Sequence, residues 1–223
     1  MIKAVIFDLD NTLLDFMKMK RAAVDAAVDA MIDAGLSFSK DKMIETIYEI
    51  YWKEGIEDQL IFNKALEQVL GVIDYKIMAS GILGYRRAKR GAMSLYPHVH
   101  YTLTELLKRG IKMMIVSDAP RLEAWLRICD LGLQHYFDHV LTFDDTGERK
   151  PSKKPFLRAL KILALSPKEV LMVGDWAERD VVGAKEVGMR TAFARYGDLF
   201  GTKNSGADYE LGDIIEILDI VKR

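Results

Sequence analysis

The sequence predicts an α/β fold, a parallel sheet with helices on both faces, carrying an inserted all-helical module. Three observations lead there. Apolar runs without alternation, at Val5–Leu9, Ile111–Val116 and Val170–Val173, have the texture of strands buried on both faces. From Leu95 onward such runs alternate with segments of helical period, the pattern of a parallel sheet with crossover helices. From Phe16 to about Arg90 the period is helical throughout.

The elements follow in order. Val5–Leu9 is the first strand. The helical module has apolar residues recurring at three and four: Val24, Ala27, Val28, Met31 and Ile32; Ile44, Ile47, Tyr48 and Tyr51; Phe62, Ala65, Leu66, Val69 and Leu70. Gly35, Gly55 and Gly71 punctuate it, giving about four helices. A helix through Val99, Leu103, Leu106 and Leu107 stops at Gly110. Strand Ile111–Val116 ends in Ser117-Asp118, and a helix packing Leu122, Trp125, Leu126 and Cys129 comes next. His139–Phe143 reads as a strand and Phe156–Leu163 as a helix. Ser166-Pro167-Lys168-Glu169 is a capped turn. Strand Val170–Val173 ends in Gly174-Asp175, helix Val181–Val187 stops at Gly188, Thr191–Ala194 is a short strand, and Ile214–Val221 is a closing amphipathic helix.

Composition bounds the function. The chain has 223 residues, 50% hydrophobic and 29% charged, with a net charge of −1. That supports a packed core and offers no global field for nucleic acid or an anionic membrane. No stretch approaches the 18 apolar residues of a membrane span, and the short apolar start is cut by Asp8 and Asp10, unlike a signal peptide. The single Cys129 cannot close an internal disulfide, which fits a reducing, cytoplasmic setting.

The chemistry sits at strand ends. Asp8, Asp10 and Thr12 stand at the carboxyl end of the first strand, Ser117 and Asp118 follow the second long one, and Asp175 another, with Asp180 close behind. In open parallel sheets ligands bind outside the carboxyl ends of the strands. An aspartate at a strand end often only caps a turn, but three strand ends delivering carboxylates call for more. Crowded carboxylates repel, and a hard divalent cation such as magnesium relieves the repulsion.

These residues carry a resemblance. Asp8-Leu-Asp10-Asn-Thr12 is similar to the first signature of the haloacid dehalogenase superfamily, Ile-Val-Ser117 to the second, Lys150-Pro with the later Phe156 to the third, and Gly-Asp175-x4-Asp180 to the fourth. The four stand in the family's order. The resemblance implies a Rossmann-like core (1–14 and 92–223) and a type 1 helical cap (15–91) acting as a lid. It implies an Mg2+-dependent phosphatase working on a small phosphorylated metabolite through an aspartyl-phosphate. Asp8 would be the nucleophile and Asp10 the general acid and base. Ser117, Lys150 and the Asp118 backbone would hold the phosphoryl group. Asp8, the Asp10 carbonyl and Asp175 would ligate the metal, and Thr12 and Asp180 would support them.

Two positions depart from the commoner family pattern: Asp118 where many relatives carry Asn, and Asn11 where Gly is usual. Asp10 argues for phosphate chemistry over carbon–halogen cleavage, since halide leaves without a proton. A phosphomutase would share the aspartyl-phosphate, but hydrolysis is the commoner outcome in this architecture. A non-catalytic member that binds a phosphorylated ligand or a partner is opposed by the intact Asp8, Asp10, Lys150 and Asp175.

In the module, Arg86, Arg87, Lys89 and Arg90 form the basic cluster. It reads first as a solvated helix end, with substrate recognition by one arginine as the sharper alternative. Gly81 and Gly84 read as weakening that helix, and Met43, Tyr48, Tyr51 and Trp52 as module core.

Overall fold

A computed structural model describes residues 1–222. The chain divides into two compact units, Met1–Asp15 with the chain from Ser94 onward, and Phe16–Met93.

The first unit is built on a parallel sheet, as the sequence predicts, and the sheet has six strands: β1 (Ala4–Phe7), β2 (Lys112–Val116), β3 (His139–Leu141), β4 (Val170–Gly174), β5 (Arg190–Ala194) and β6 (Tyr209–Leu211), in spatial order β3-β2-β1-β4-β5-β6. The central strands lack alternation because both faces are covered: all four residues of β1 and all five of β4 are buried. One cluster joins Ile6, Met114 and Met172 of the sheet to Phe156, Ala159 and Leu163. β1 pairs with β2 on one side and β4 on the other, with Phe7 opposite both Ile115 and Val173. The residues after these three strands therefore leave the sheet side by side, where the strand order reverses.

β6 has no counterpart in the sequence reading. Tyr209–Leu211 is three residues long at the sheet edge, too short to give a period. His139–Phe143 is also corrected: the strand stops at Leu141, and Phe143–Thr146 turns into a short helix behind a Thr142/Asp145 capping box. The Ser166/Glu169 box forms as predicted.

The second unit holds four helices, α1 (Phe16–Asp33), α2 (Lys40–Glu54), α3 (Ile61–Leu70) and α4 (Tyr75–Ala92). Val24, Ala27, Val28, Met31, Met43, Ile47, Tyr51, Phe62, Ala65 and Leu66 make its core. Trp52 lies off that face and is exposed. Arg86 and Arg87 are exposed, as a solvated helix end requires. The reading of Gly84 as a weak point is corrected. A Cβ there would lie 2.5 Å from the Ala26 carbonyl oxygen, so the residue lets α1 and α4 approach closely.

A further correction concerns the helix Arg121–Asp130, labelled α6 after α5 (Val99–Lys108). The expected inner stripe of Leu122, Trp125, Leu126 and Cys129 faces out, and Cys129 is exposed. Ala124, Arg127 and Ile128 are buried instead. Both stripes have helical spacing, and hydropathy chose the wrong one because the inner stripe contains an arginine. Leu107 of α5 is likewise exposed.

Candidate active site

Each predicted site residue lies in the first unit. Asp8 follows β1 directly, and its N–H donates to the Val173 carbonyl at 2.8 Å, which ties the strand exit to β4. The chain then turns sharply. Asn11 takes φ +57°, a conformation that disfavours most side chains but admits asparagine, which explains why it can stand where glycine is usual. Thr12 is fully buried, and its hydroxyl donates to Asp175 Oδ1 at 3.0 Å, joining the loops after β1 and β4. The Tyr196 hydroxyl donates to the Thr12 carbonyl at 2.8 Å and braces the turn from below.

Lys150 is the hub. Its Nζ lies 2.6 Å from Asp8 Oδ1 and 2.6 Å from Asp180 Oδ1, all three side chains being almost fully buried. Asp180 is held at its other oxygen, which accepts from the Trp176 N–H at 3.0 Å. Gly174 makes room for it: a Cβ there would come within 2.3 Å of the Asp180 carboxyl. Both carboxylate oxygens of Asp180 are thus engaged. Asp8, Asp175 and Asp180 place carboxylate oxygens within 4.8 Å of one another.

Charge follows from that crowding. Burial, with the negative charges of Asp180 and Asp10, outweighs Lys150 and pushes Asp8 up to about 7. Burial, then Asp8 and Asp180, hold Asp175 well above the usual carboxylate range. Burial opposes the charge on Lys150, but Asp180 and Asp8 more than compensate and keep it protonated. Were all three ionised, one ammonium among three buried carboxylates would leave net negative charge in a small, oxygen-lined volume, which is why their protons are held tightly. A hard divalent cation fits such a donor set, whose carboxylates, without thiolate or imidazole, disfavour a softer metal.

Ser117 closes the other side. Its Oγ accepts from the Ala119 N–H at 3.1 Å, which leaves the hydroxyl proton for another acceptor. Asp118 turns to protein partners: Oδ1 accepts from the Lys150 N–H at 2.9 Å, and Oδ2 pairs with Arg179 at 3.4 Å. Its carboxylate is thus used to anchor the Lys150 loop, where a free negative charge would oppose phosphate. Arg179 also stacks 3.6 Å from the Trp176 ring centroid.

Three participants escape sequence reasoning. Tyr196 and Arg179 lie in short helical turns, Arg195–Gly197 and Ala177–Val181, too short for spacing to flag them. Arg127 is 1% exposed, with Nη1 2.6 Å from Asp10 Oδ2 and Nη2 3.9 Å from Glu123 Oε2. A charged residue on a helix whose apolar stripe lies elsewhere gives a sequence reader no reason to bury it.

Comparison with known proteins agrees with this arrangement. The family model for haloacid dehalogenase-like hydrolases matches residues 2–188. A glyceraldehyde 3-phosphate phosphatase from Methanocaldococcus jannaschii is 34% identical over 100% of this chain and 98% of that protein. One from Pyrococcus furiosus is 32% identical over 100% of this chain and 94% of that protein. The crystal structure of a HAD phosphatase from Thermococcus onnurineus superposes with a TM-score of 0.74 at 29% identity, covering 98% of this chain and 97% of that one. With the signatures gathered at one rim of the sheet and the match running from β1 through the Asp175–Asp180 loop, the chain belongs to the haloacid dehalogenase-like hydrolases.

Proposed function

We propose that this phosphatase hydrolyses the phosphate monoester of a small metabolite through an aspartyl-phosphate on Asp8, with a three-carbon sugar phosphate of the glyceraldehyde 3-phosphate type as its substrate. The observation that carries the chemistry is the buried Asp8–Lys150–Asp180 bridge, both contacts at 2.6 Å, beside Asp175. The substrate class is supported by the names of the two archaeal relatives, which align over the whole chain.

The residues divide the work as follows. An Asp8 oxygen attacks phosphorus while the bond to the leaving alcohol breaks. Asp10 gives that oxygen its proton. Asp10 then takes a proton from water as the water attacks phosphorus, which frees Asp8 and releases inorganic phosphate. Lys150 balances the charge of Asp8 and of the phosphoryl oxygens, and the Ser117 hydroxyl and Asp118 backbone steady the latter. Magnesium, held by Asp8, Asp175 and the Asp10 carbonyl with Asp180 and Thr12 supporting, would let two anions approach. No helix among the described residues is long and apolar enough to cross a membrane, and a cytoplasmic setting belongs to this proposal.

The test is phosphate release from para-nitrophenyl phosphate and from glyceraldehyde 3-phosphate, with magnesium and then with chelator. Release that needs magnesium and favours the triose phosphate supports the proposal. Release unaffected by chelator removes the metal from it, and a preference for a larger sugar phosphate removes the substrate class.

A further inference from the structure

We infer that Arg127, braced by Glu123, is a positioning residue that orients Asp10 for proton transfer. The inference rests on the proposed role of Asp10 as acid and base.

The observation is the inner face of α6. Ala124 and Ile128 are fully buried there, and between them stands Arg127, 1% exposed. Leu122, Trp125 and Leu126 of the same helix are exposed. A helix that turns an arginine inward and three large apolar residues outward gives up hydrophobic burial and takes on the desolvation of a charge. That orientation is sustained only if the guanidinium finds well-placed anions. Its anions include Asp10 Oδ2, hydrogen-bonded at 2.6 Å, and Glu123 Oε2, at ion-pair distance of 3.9 Å one turn back on its own helix.

The consequence is geometric. Asp10 lies on the turn that leaves β1, and its carboxylate must sit within hydrogen-bond reach of the leaving oxygen to pass a proton. A short side chain on a turn has several rotamers. A planar guanidinium fixed in the core holds one carboxylate oxygen at a set point and restricts the other to a narrow arc. Glu123, Arg127 and Asp10 then form a chain in which the acid/base is aimed by a second group and that group by a third, as in other catalytic relays. Arg127 acts through Asp10, so it positions and does not catalyse.

The experiment compares kcat and KM for para-nitrophenyl phosphate, whose leaving group needs little protonation, and glycerol phosphate, whose alkoxide needs a proton. R127M is expected to lower kcat for glycerol phosphate at least tenfold, to lower that for the nitrophenyl ester less than threefold, and to leave both KM values within about threefold. R127K, which keeps the charge, recovers most of the loss. E123Q, a partly exposed substitution that spares the core, gives a smaller loss in the same sense. In the D10N background R127M adds no more than about twofold, because the two residues act through one proton transfer. Equal slowing of both substrates by R127M and E123Q, or losses from R127M and D10N that multiply, overturns the inference while leaving Asp10 in its role. D10N indistinguishable from the parent on glycerol phosphate overturns the role of Asp10 and this inference with it.

Discussion

Lys150 Nζ sits 2.6 Å from Asp8 and 2.6 Å from Asp180, so one buried ammonium bridges residues 172 positions apart in the chain. Removing it strands buried carboxylates. Lys150→Met is expected to cost about 3–5 kcal/mol of stability, the usual result of breaking a buried ion pair from one side. Urea denaturation measures this, and added magnesium should recover part of the loss. A variant as stable as the parent in metal-free buffer would mean that the bridge does not hold the loops.

On the proposed mechanism Asp8 is indispensable, since its oxygen would form the bond to phosphorus. Asp8→Asn keeps the shape and removes the nucleophilic charge, so turnover should fall by on the order of a thousandfold or more. Phosphate release under saturating magnesium checks it. A loss under tenfold would move the nucleophile elsewhere.

The raised carboxylates couple stability to pH. Asp8 holds its proton up to about 7 in the folded protein, whereas in the unfolded chain it loses it near 4. The folded state therefore binds more protons at Asp8 across that window, and the contribution of this group to metal-free stability should be full below about 4 and be lost as pH rises through about 7. Asp175 acts in the same direction. A cation replaces those protons, so the rise in Tm on adding magnesium should be larger at pH 8 than at pH 5. The opposite order in a thermal melt would contradict the buried-carboxylate account.

Gly84 separates two explanations by sign. Were it there to loosen α4, Gly84→Ala would stabilise by about 1 kcal/mol through helix propensity. Because a Cβ would sit 2.5 Å from the Ala26 carbonyl oxygen and 2.9 Å from the Ala30 Cβ, the substitution is expected to destabilise by about 1–3 kcal/mol. Chemical denaturation decides between them.

The sequence by itself determined the layered α/β plan, because doubly buried strands and amphipathic helices leave periods that survive without a third dimension. It also singled out Asp8, Asp10, Thr12, Ser117 and Asp175, since chemistry at strand ends interrupts apolar runs, with Asp180 close behind, and Lys150 through its resemblance to a family signature. Tertiary structure decided what those residues touch. Strand order, set by packing between distant segments, put β2 and β4 on either side of β1. It also placed Asp180 directly against Lys150. The rotation of α6 was beyond the sequence for the same reason. Two stripes of equal period competed, and the winner was chosen by an ion pair between Arg127 and Asp10, 117 residues apart, which no local pattern encodes.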